Sequence, residues 1–171
     1  MDILWRDHVK CPTEDQYIAM IKNKTGSLFR ILMKLMMACA TERTEINFIP
    51  LVDLIGVMYQ IRDDYSNLRD ASYSDTKGFA EDLTEGKFSF PLVHAIRADE
   101  SNQELLDIIK QRPKSPTLKQ RALEYMEKQT KSFAYTVGVL RVLERRIDEE
   151  MDVLGGNPRL RKLLDKLRVT E

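Results

Sequence analysis

Across residues 48–61, ten of the fourteen side chains are apolar and fall on every side of a helix rather than along one stripe. Such a segment is stable only when other elements surround it, so the chain must build layers around one buried helix. Gly 7 and Pro 6 in 171 residues are too few to punctuate many short strands, and no segment alternates clearly with a period of two. The expected fold class is therefore all-α.

The remaining helices follow from periodicity and punctuation. Met1, Leu4, Trp5 and His8 form a helical stripe with nothing ahead of it to cap the helix, so the chain opens inside an element. Thr13, followed by Glu14 and Asp15, makes a helix start, with Tyr17, Met20, Ile21 and Lys24 on one face. Gly26 is expected to interrupt it, and 28–39 to form a second, very apolar run whose Met33, Met36 and Met37 fill the core. The buried helix should begin near Ile46, with Pro50 in its first turn. Residues 69–87 read as loop and turns, 88–98 and 102–110 as short helices, and 117–154 as a long pair broken near Thr130 to Ser132. Gly155-Gly156-Asn157-Pro158 stops one helix and starts another, which carries Leu160, Leu163, Leu164 and Leu167.

Charge and cysteine content narrow the function. With 27 basic and 27 acidic residues and a pI near 6.8, the chain lacks the basic excess of a nucleic-acid binder, so any phosphate site must be local. Cys11 and Cys39 form no disulfide framework and no zinc spacing, and are expected as small buried hydrophobes in a reducing compartment. Arg30 and Lys34 interrupt the most apolar run before it reaches membrane-spanning length, and no signal pattern opens the chain, which makes the cytoplasm the default location.

Chemistry concentrates in Gln60-Ile61-Arg62-Asp63-Asp64-Tyr65-Ser66-Asn67. On a continued helix, Gly56, Gln60, Asp63 with Asp64, and Asn67 stack as a polar ladder. Paired carboxylates near a helix C-terminus oppose the macrodipole and are costly to bury alone, so a positive group must compensate them. Spacing leaves two answers open: a salt bridge to Arg62 or Arg69, or a hard divalent cation such as magnesium. Lys24-Thr25-Gly26, Lys77-Gly78 and Lys87 place cations at glycine-bearing points, where an anion can also meet backbone amides. Acidic ladder and lysines together describe a site for a polyphosphate with magnesium. Asp82 and Glu85 read as surface charges sooner than as metal or lysine partners, and His94 as a satisfied core histidine. No Ser/His/Asp or Cys/His set and no glycine-rich nucleotide loop is present.

The segment Gln60-Ile-Arg-Asp-Asp-Tyr-x-Asn67, with Lys77-Gly-Phe-Ala-Glu-Asp-Leu-Thr-Glu-Gly-Lys-Phe-Ser-Phe-Pro91, resembles the second aspartate-rich region of eukaryotic, fungal-type geranylgeranyl diphosphate synthases of the polyprenyl synthase family. Lys24-Thr25-Gly26 is similar to that family's lysine-threonine motif, and Gly155 to Pro158 to the turn before its final helix. The resemblance implies an isoprenoid synthase helical bundle and condensation of an allylic diphosphate with isopentenyl diphosphate. It implies Asp63 and Asp64 as magnesium ligands, and Lys24, Thr25, Gln60, Asn67, Lys77 and Lys87 as holders of the allylic diphosphate. Asn67, standing where farnesyl diphosphate synthases have a third aspartate, points to the geranylgeranyl branch.

The family's first aspartate-rich motif appears nowhere in the sequence. Residues 1–171 are thus expected to be the C-terminal half of one polyprenyl synthase domain, with Met1 at a truncation, and to be inactive or very weak alone. A non-catalytic helical subunit, the rear half of a prenyltransferase module in a larger terpene synthase, and a helical interaction module using the Leu160 to Leu167 stripe are the competing readings. Association with another copy or with a complete synthase is left open. A 43% hydrophobic share in half a domain predicts apolar faces left exposed.

Overall fold

A computed structural model describes residues 2–42, 45–69 and 78–169. Among these, the secondary structure is helical with no strand: α1 (Asp2–Asp7), α2 (Glu14–Ala38), α3 (Ile49–Arg69), α4 (Glu81–Glu85), α5 (Phe90–Ala98), α6 (Glu104–Lys110), α7 (Pro116–Lys128), α8 (Ser132–Val153) and α9 (Pro158–Asp165). No helix among the described residues is long and apolar enough to cross a membrane. The chain divides into two compact units, Met1–Met20 with Asp63–Gly138 and Ile21–Arg62 with Val139–Glu171.

In the first unit, Thr13 opens α2 through a reciprocal capping box. Its Oγ1 accepts the Gln16 N–H at 3.2 Å, while its own N–H donates to Gln16 Oε1 at 3.0 Å. The core gathers Tyr17, Leu83, Phe90, Leu92 and Met126, all almost completely buried, with the Tyr17 and Phe90 rings 5.5 Å apart. The expected break between α7 and α8 falls at 129–131, where Lys131 takes a left-handed conformation (φ 53°) before Ser132 opens α8. The expected loop at 69–87 contains the short helix α4, closed by Gly86 at φ 68°. His94 is half-buried, stacks on Tyr135 at 3.9 Å and shares a 2.8 Å hydrogen bond between Nδ1 and Ser132 Oγ. Burial lowers its pKa below the ordinary histidine value.

In the second unit, α2 runs straight through Gly26 instead of stopping there. The glycine is explained by packing: a Cβ at Gly56 would lie 3.6 Å from the Gly26 Cα, so two glycines let α2 and α3 approach closely. Arg30 then fastens α2 to α3 with a two-pronged ion pair, Nε to Asp53 Oδ1 at 2.6 Å and Nη2 to Asp53 Oδ2 at 2.8 Å. The helix α3 begins at Ile49, three residues later than expected, with Pro50 in its first turn.

Two burial expectations fail on α2 and at the residue that follows it. Met36 is exposed and Met33 and Met37 are only half-buried, so the methionines are not core filler. Cys39 is exposed as well, whereas Cys11 is buried as expected. Both follow from a face of α2 that no described element covers.

Gly155 and Gly156 take positive φ (92° and 75°), and Asn157 Oδ1 caps α9 by accepting the Leu160 N–H at 3.0 Å. Only Leu164 of α9 is buried. The helix is tied to α8 by Arg161, which meets Asp148 and Asp152, and by Arg168, which meets Glu144 and Asp148. The three acids are spaced four apart and so form one row on α8.

Candidate functional site

Lys24, Thr25 and Gln60 lie in the second unit. Thr25, on the turn of α2 after Ile21, donates its hydroxyl hydrogen to Gln60 Oε1 at 3.0 Å. This bond holds the amide of Gln60 in place on α3, and Lys24, the neighbour of Thr25, is exposed.

The other described candidates lie in the first unit, and there the two aspartates separate. Asp63 is half-buried; Asp64, one residue on and therefore turned to a different side of α3, has no exposed surface. Asp64 Oδ2 accepts the Tyr17 hydroxyl and the backbone N–H of Phe90 at 2.8 Å, and Oδ1 accepts Lys87 Nζ at 2.9 Å. Phe90 is the first residue of α5, whose N-cap residue, Ser89, makes no capping bond through its own side chain. A carboxylate from α3 thus occupies the positive end of α5 in its place. Both Asp64 oxygens are engaged by protein donors in a closed environment.

An ion pair to Asp64 comes from a residue outside the two expected arginines. Arg69 pairs with Glu127 at 3.1 Å and lies over the Phe133 ring, and the cation that balances Asp64 is Lys87. Lys87 also reaches Asp82, at 3.0 Å to Oδ2 and 3.2 Å to Oδ1. Asp82 is buried rather than a surface charge, while Glu85 is exposed and meets Arg6 at 3.4 Å. Asn67 Oδ1 accepts the Asp82 N–H at 3.1 Å and so holds the first turn of α4. Lys77 lies outside the described residues.

One ammonium therefore stands between two buried carboxylates. Burial pushes Asp82 up to about 7, with Lys87 opposing and the Asp64 charge adding to the rise. Burial also works against the charge on Lys87, but Asp64 and then Asp82 outweigh it and its pKa is raised. The two shifts are consistent if Lys87 balances Asp64 and leaves Asp82 as the surplus negative group. For Tyr17, burial first and the Asp64 charge second hold the phenol well above its ordinary value, so it stays a donor.

Asp82 and Tyr17 are the members of this cluster that sequence reasoning missed. Asp82 carried a usable signal, a carboxylate five residues before a lysine on either side of a glycine turn. Tyr17 carried none, being 47 positions from Asp64. Among the described residues no group of three or more His, Cys, Asp or Glu side chains is arranged to hold a metal.

The model of the polyprenyl synthetase family matches residues 1–126. This chain belongs to the polyprenyl synthetase family. It is 50% identical over 169 residues to a geranylgeranyl pyrophosphate synthase of Hericium erinaceus, covering 99% of this chain and 50% of that protein. A geranylgeranyl pyrophosphate synthase of Mucor circinelloides f. lusitanicus is 48% identical, with 99% and 55% covered. A copalyl diphosphate synthase of Talaromyces verruculosus is 50% identical over 156 residues, which are 91% of this chain and 16% of that much longer protein. This polyprenyl synthetase family member thus spans about half the length of the first two relatives.

Proposed function

We propose that the chain is the C-terminal half of a prenyltransferase domain that condenses an allylic diphosphate with isopentenyl diphosphate to give geranylgeranyl diphosphate, in the cytoplasm. The observation that carries this reading is identity of about half to two geranylgeranyl pyrophosphate synthases along 99% of the chain. In the reaction, the allylic carbon–oxygen bond breaks with its electron pair leaving on the diphosphate. The double bond of isopentenyl diphosphate attacks the allylic cation, a carbon–carbon bond forms, and a proton is lost. The main task of the protein is electrostatic stabilisation of the departing diphosphate.

Lys24, Lys77 and Lys87 supply positive charge for that group, and Thr25, Gln60 and Asn67 polar contacts. The Lys87 ammonium is held by Asp64 and Asp82, and its side chain keeps 20% exposure through which a phosphate oxygen can approach. A half-buried Asp63 that, among the described residues, belongs to no group of three or more possible ligands suits magnesium held by one carboxylate, water and substrate oxygens. Magnesium there would draw charge off the leaving group. Asp64 keeps a structural part in this reading.

The test is turnover with magnesium, isopentenyl diphosphate and farnesyl diphosphate. The 171-residue chain is expected to be inactive or very weak, and a protein completed with the missing half of the Hericium erinaceus relative to be active. In that completed protein Asp63→Asn should lower magnesium-dependent turnover far more than it lowers Tm. Loss of stability with metal dependence untouched would make Asp63 a structural residue and sink its assignment. The Talaromyces verruculosus relative, matched over only 16% of its length, favours a second reading, in which this sequence is the rear half of a prenyltransferase module within a larger terpene synthase.

A further inference from the structure

Lys119, on α7, is only 6% exposed, which is rare for a lysine, since an amino group taken out of water is costly unless it meets partners. Its Nζ donates to the main-chain carbonyl of Phe79 and lies 3.7 Å from Glu81 Oε2. These two residues flank Ala80, the N-cap of α4, which holds a left-handed conformation (φ 47°) that is unfavourable for a residue with a Cβ. Ala80 makes no side-chain capping bond, and five residues are too few for a helix to keep its shape alone. The position of α4 is therefore set from outside, by Asn67 of α3 at the Asp82 N–H and by Lys119 of α7 at the turn before it.

What depends on α4 is Lys87. Its main-chain N–H donates to the Asp82 carbonyl at 2.9 Å and its Nζ to the Asp82 carboxylate, so Asp82 grips the lysine at both ends. Asp82 in turn lies two residues beyond Ala80, in the first turn of α4. We propose that Lys119 is a positioning residue for the prenyl transfer: by holding the left-handed turn at Ala80 it fixes Asp82, and through Asp82 the ammonium of Lys87 that meets the allylic diphosphate. It touches no substrate itself. An apolar side chain of similar length would fill the site without the cost of burying an amino group, but would take this donor from the Phe79 carbonyl. The inference rests on the role given to Lys87 above, while the hold on α4 can be measured without catalysis.

The test begins with the 171-residue chain, in which hydrogen exchange is followed at the Asp82 and Lys87 amides of the parent and of Lys119→Met. Exchange at both is expected to speed up roughly 10-fold or more in the variant, while the α9 amides keep their rates. Unchanged protection at Asp82 and Lys87 would overturn the proposal. Circular dichroism checks that the variant folds. Should it not, Lys119→Ser, too short to reach the Phe79 carbonyl but able to admit water to it, takes its place with the same expectation.

In the protein completed with the Hericium erinaceus half, Lys119→Met should lower kcat/KM for farnesyl diphosphate about 10-fold or more and leave KM for isopentenyl diphosphate within about 2-fold. Lys119→Arg, which keeps a donor for the Phe79 carbonyl, should recover most of the loss. In a Lys87→Ala background, Lys119→Met should cost turnover nothing further, since its effect runs through Lys87. Full additivity of the two variants, an equal loss toward both substrates, or no recovery with arginine would each overturn the proposal. Lys87→Ala with undiminished turnover would overturn the assignment of Lys87 and this proposal with it, whereas unchanged exchange beside a Lys87→Ala defect fails Lys119 alone.

Discussion

Asp64 on α3 caps α5 from outside, its Oδ2 accepting the N–H of Phe90 at 2.8 Å while the side chain of the adjoining Ser89 makes no capping bond. The same carboxylate balances Lys87 and orients Tyr17, so it joins the beginnings of α2 and α5 to the end of α3. Asp64→Asn keeps the shape but turns an acceptor into a donor facing donors, and removes one charge of a buried pair. A loss of about 3 kcal/mol is expected, against under about 1 kcal/mol for Asp63→Asn, whose side chain is half-buried. Urea unfolding of the two variants compares them directly, and equal losses would contradict the division of roles.

Asp82 gives a pH dependence with a definite sign. Its pKa rises from an ordinary 3.8 to about 7 in the folded chain, so the folded state holds a proton that the unfolded state has released across that range. Its contribution is present below pH 4 and is lost as pH climbs through 7. The raised pKa of Lys87 acts only above the ordinary lysine value and leaves this window alone. Urea midpoints between pH 5 and pH 8 should fall more in the parent chain than in Asp82→Asn, and parallel curves would refute the assignment.

Gly56 separates two steric regimes. Its added Cβ would meet Gly26 and Phe29 at 3.6 Å, an ordinary contact, so Gly56→Ala should fit and gain about 0.5–1 kcal/mol from helix propensity. Gly56→Leu has to push α2 away and should cost about 1–3 kcal/mol. Thermal melts of the pair decide it, and similar behaviour of both would mean the helices are not in close contact.

The two thiols should react very differently. Cys39 is exposed, whereas Cys11 is buried and its pKa is pushed up to about 11 by that burial. At pH 8 only on the order of one Cys11 in a thousand is thiolate. Mass spectrometry after brief iodoacetamide treatment should find Cys39 alkylated and Cys11 intact. Equal labelling in the folded chain would rule out the burial of Cys11.

Local signals in the sequence proved readable where the cause was itself local. The helix start at Thr13, the break before Ser132, and Gly155 to Pro158 are caps and turns made by neighbouring residues, and the structure has them where spacing puts them. Gly26 departs from its expected role because a glycine that ends a helix and one that admits a second helix look alike until Gly56 is placed against it. The methionines of α2 were assigned to the core from composition, which cannot say whether the elements that would cover them are present. At the candidate site, the polar character of the stretch from Gln60 to Asn67 was legible, but not which carboxylate faces which cation. Lys87 chooses Asp64 and Asp82 because the Gly86 turn brings α4 and the start of α5 back to α3.

The attachment of α9 has a consequence for ionic strength. One buried leucine and a row of partly exposed ion pairs hold this helix, and pairs of that exposure contribute under about 1 kcal/mol each and are screened by salt. Raising salt therefore loosens the last helix while Arg30 with Asp53 and the enclosed Lys87 cluster are largely spared. Hydrogen exchange at the α9 amides should register this first, making α9 the part of the fold whose order is set by the buffer.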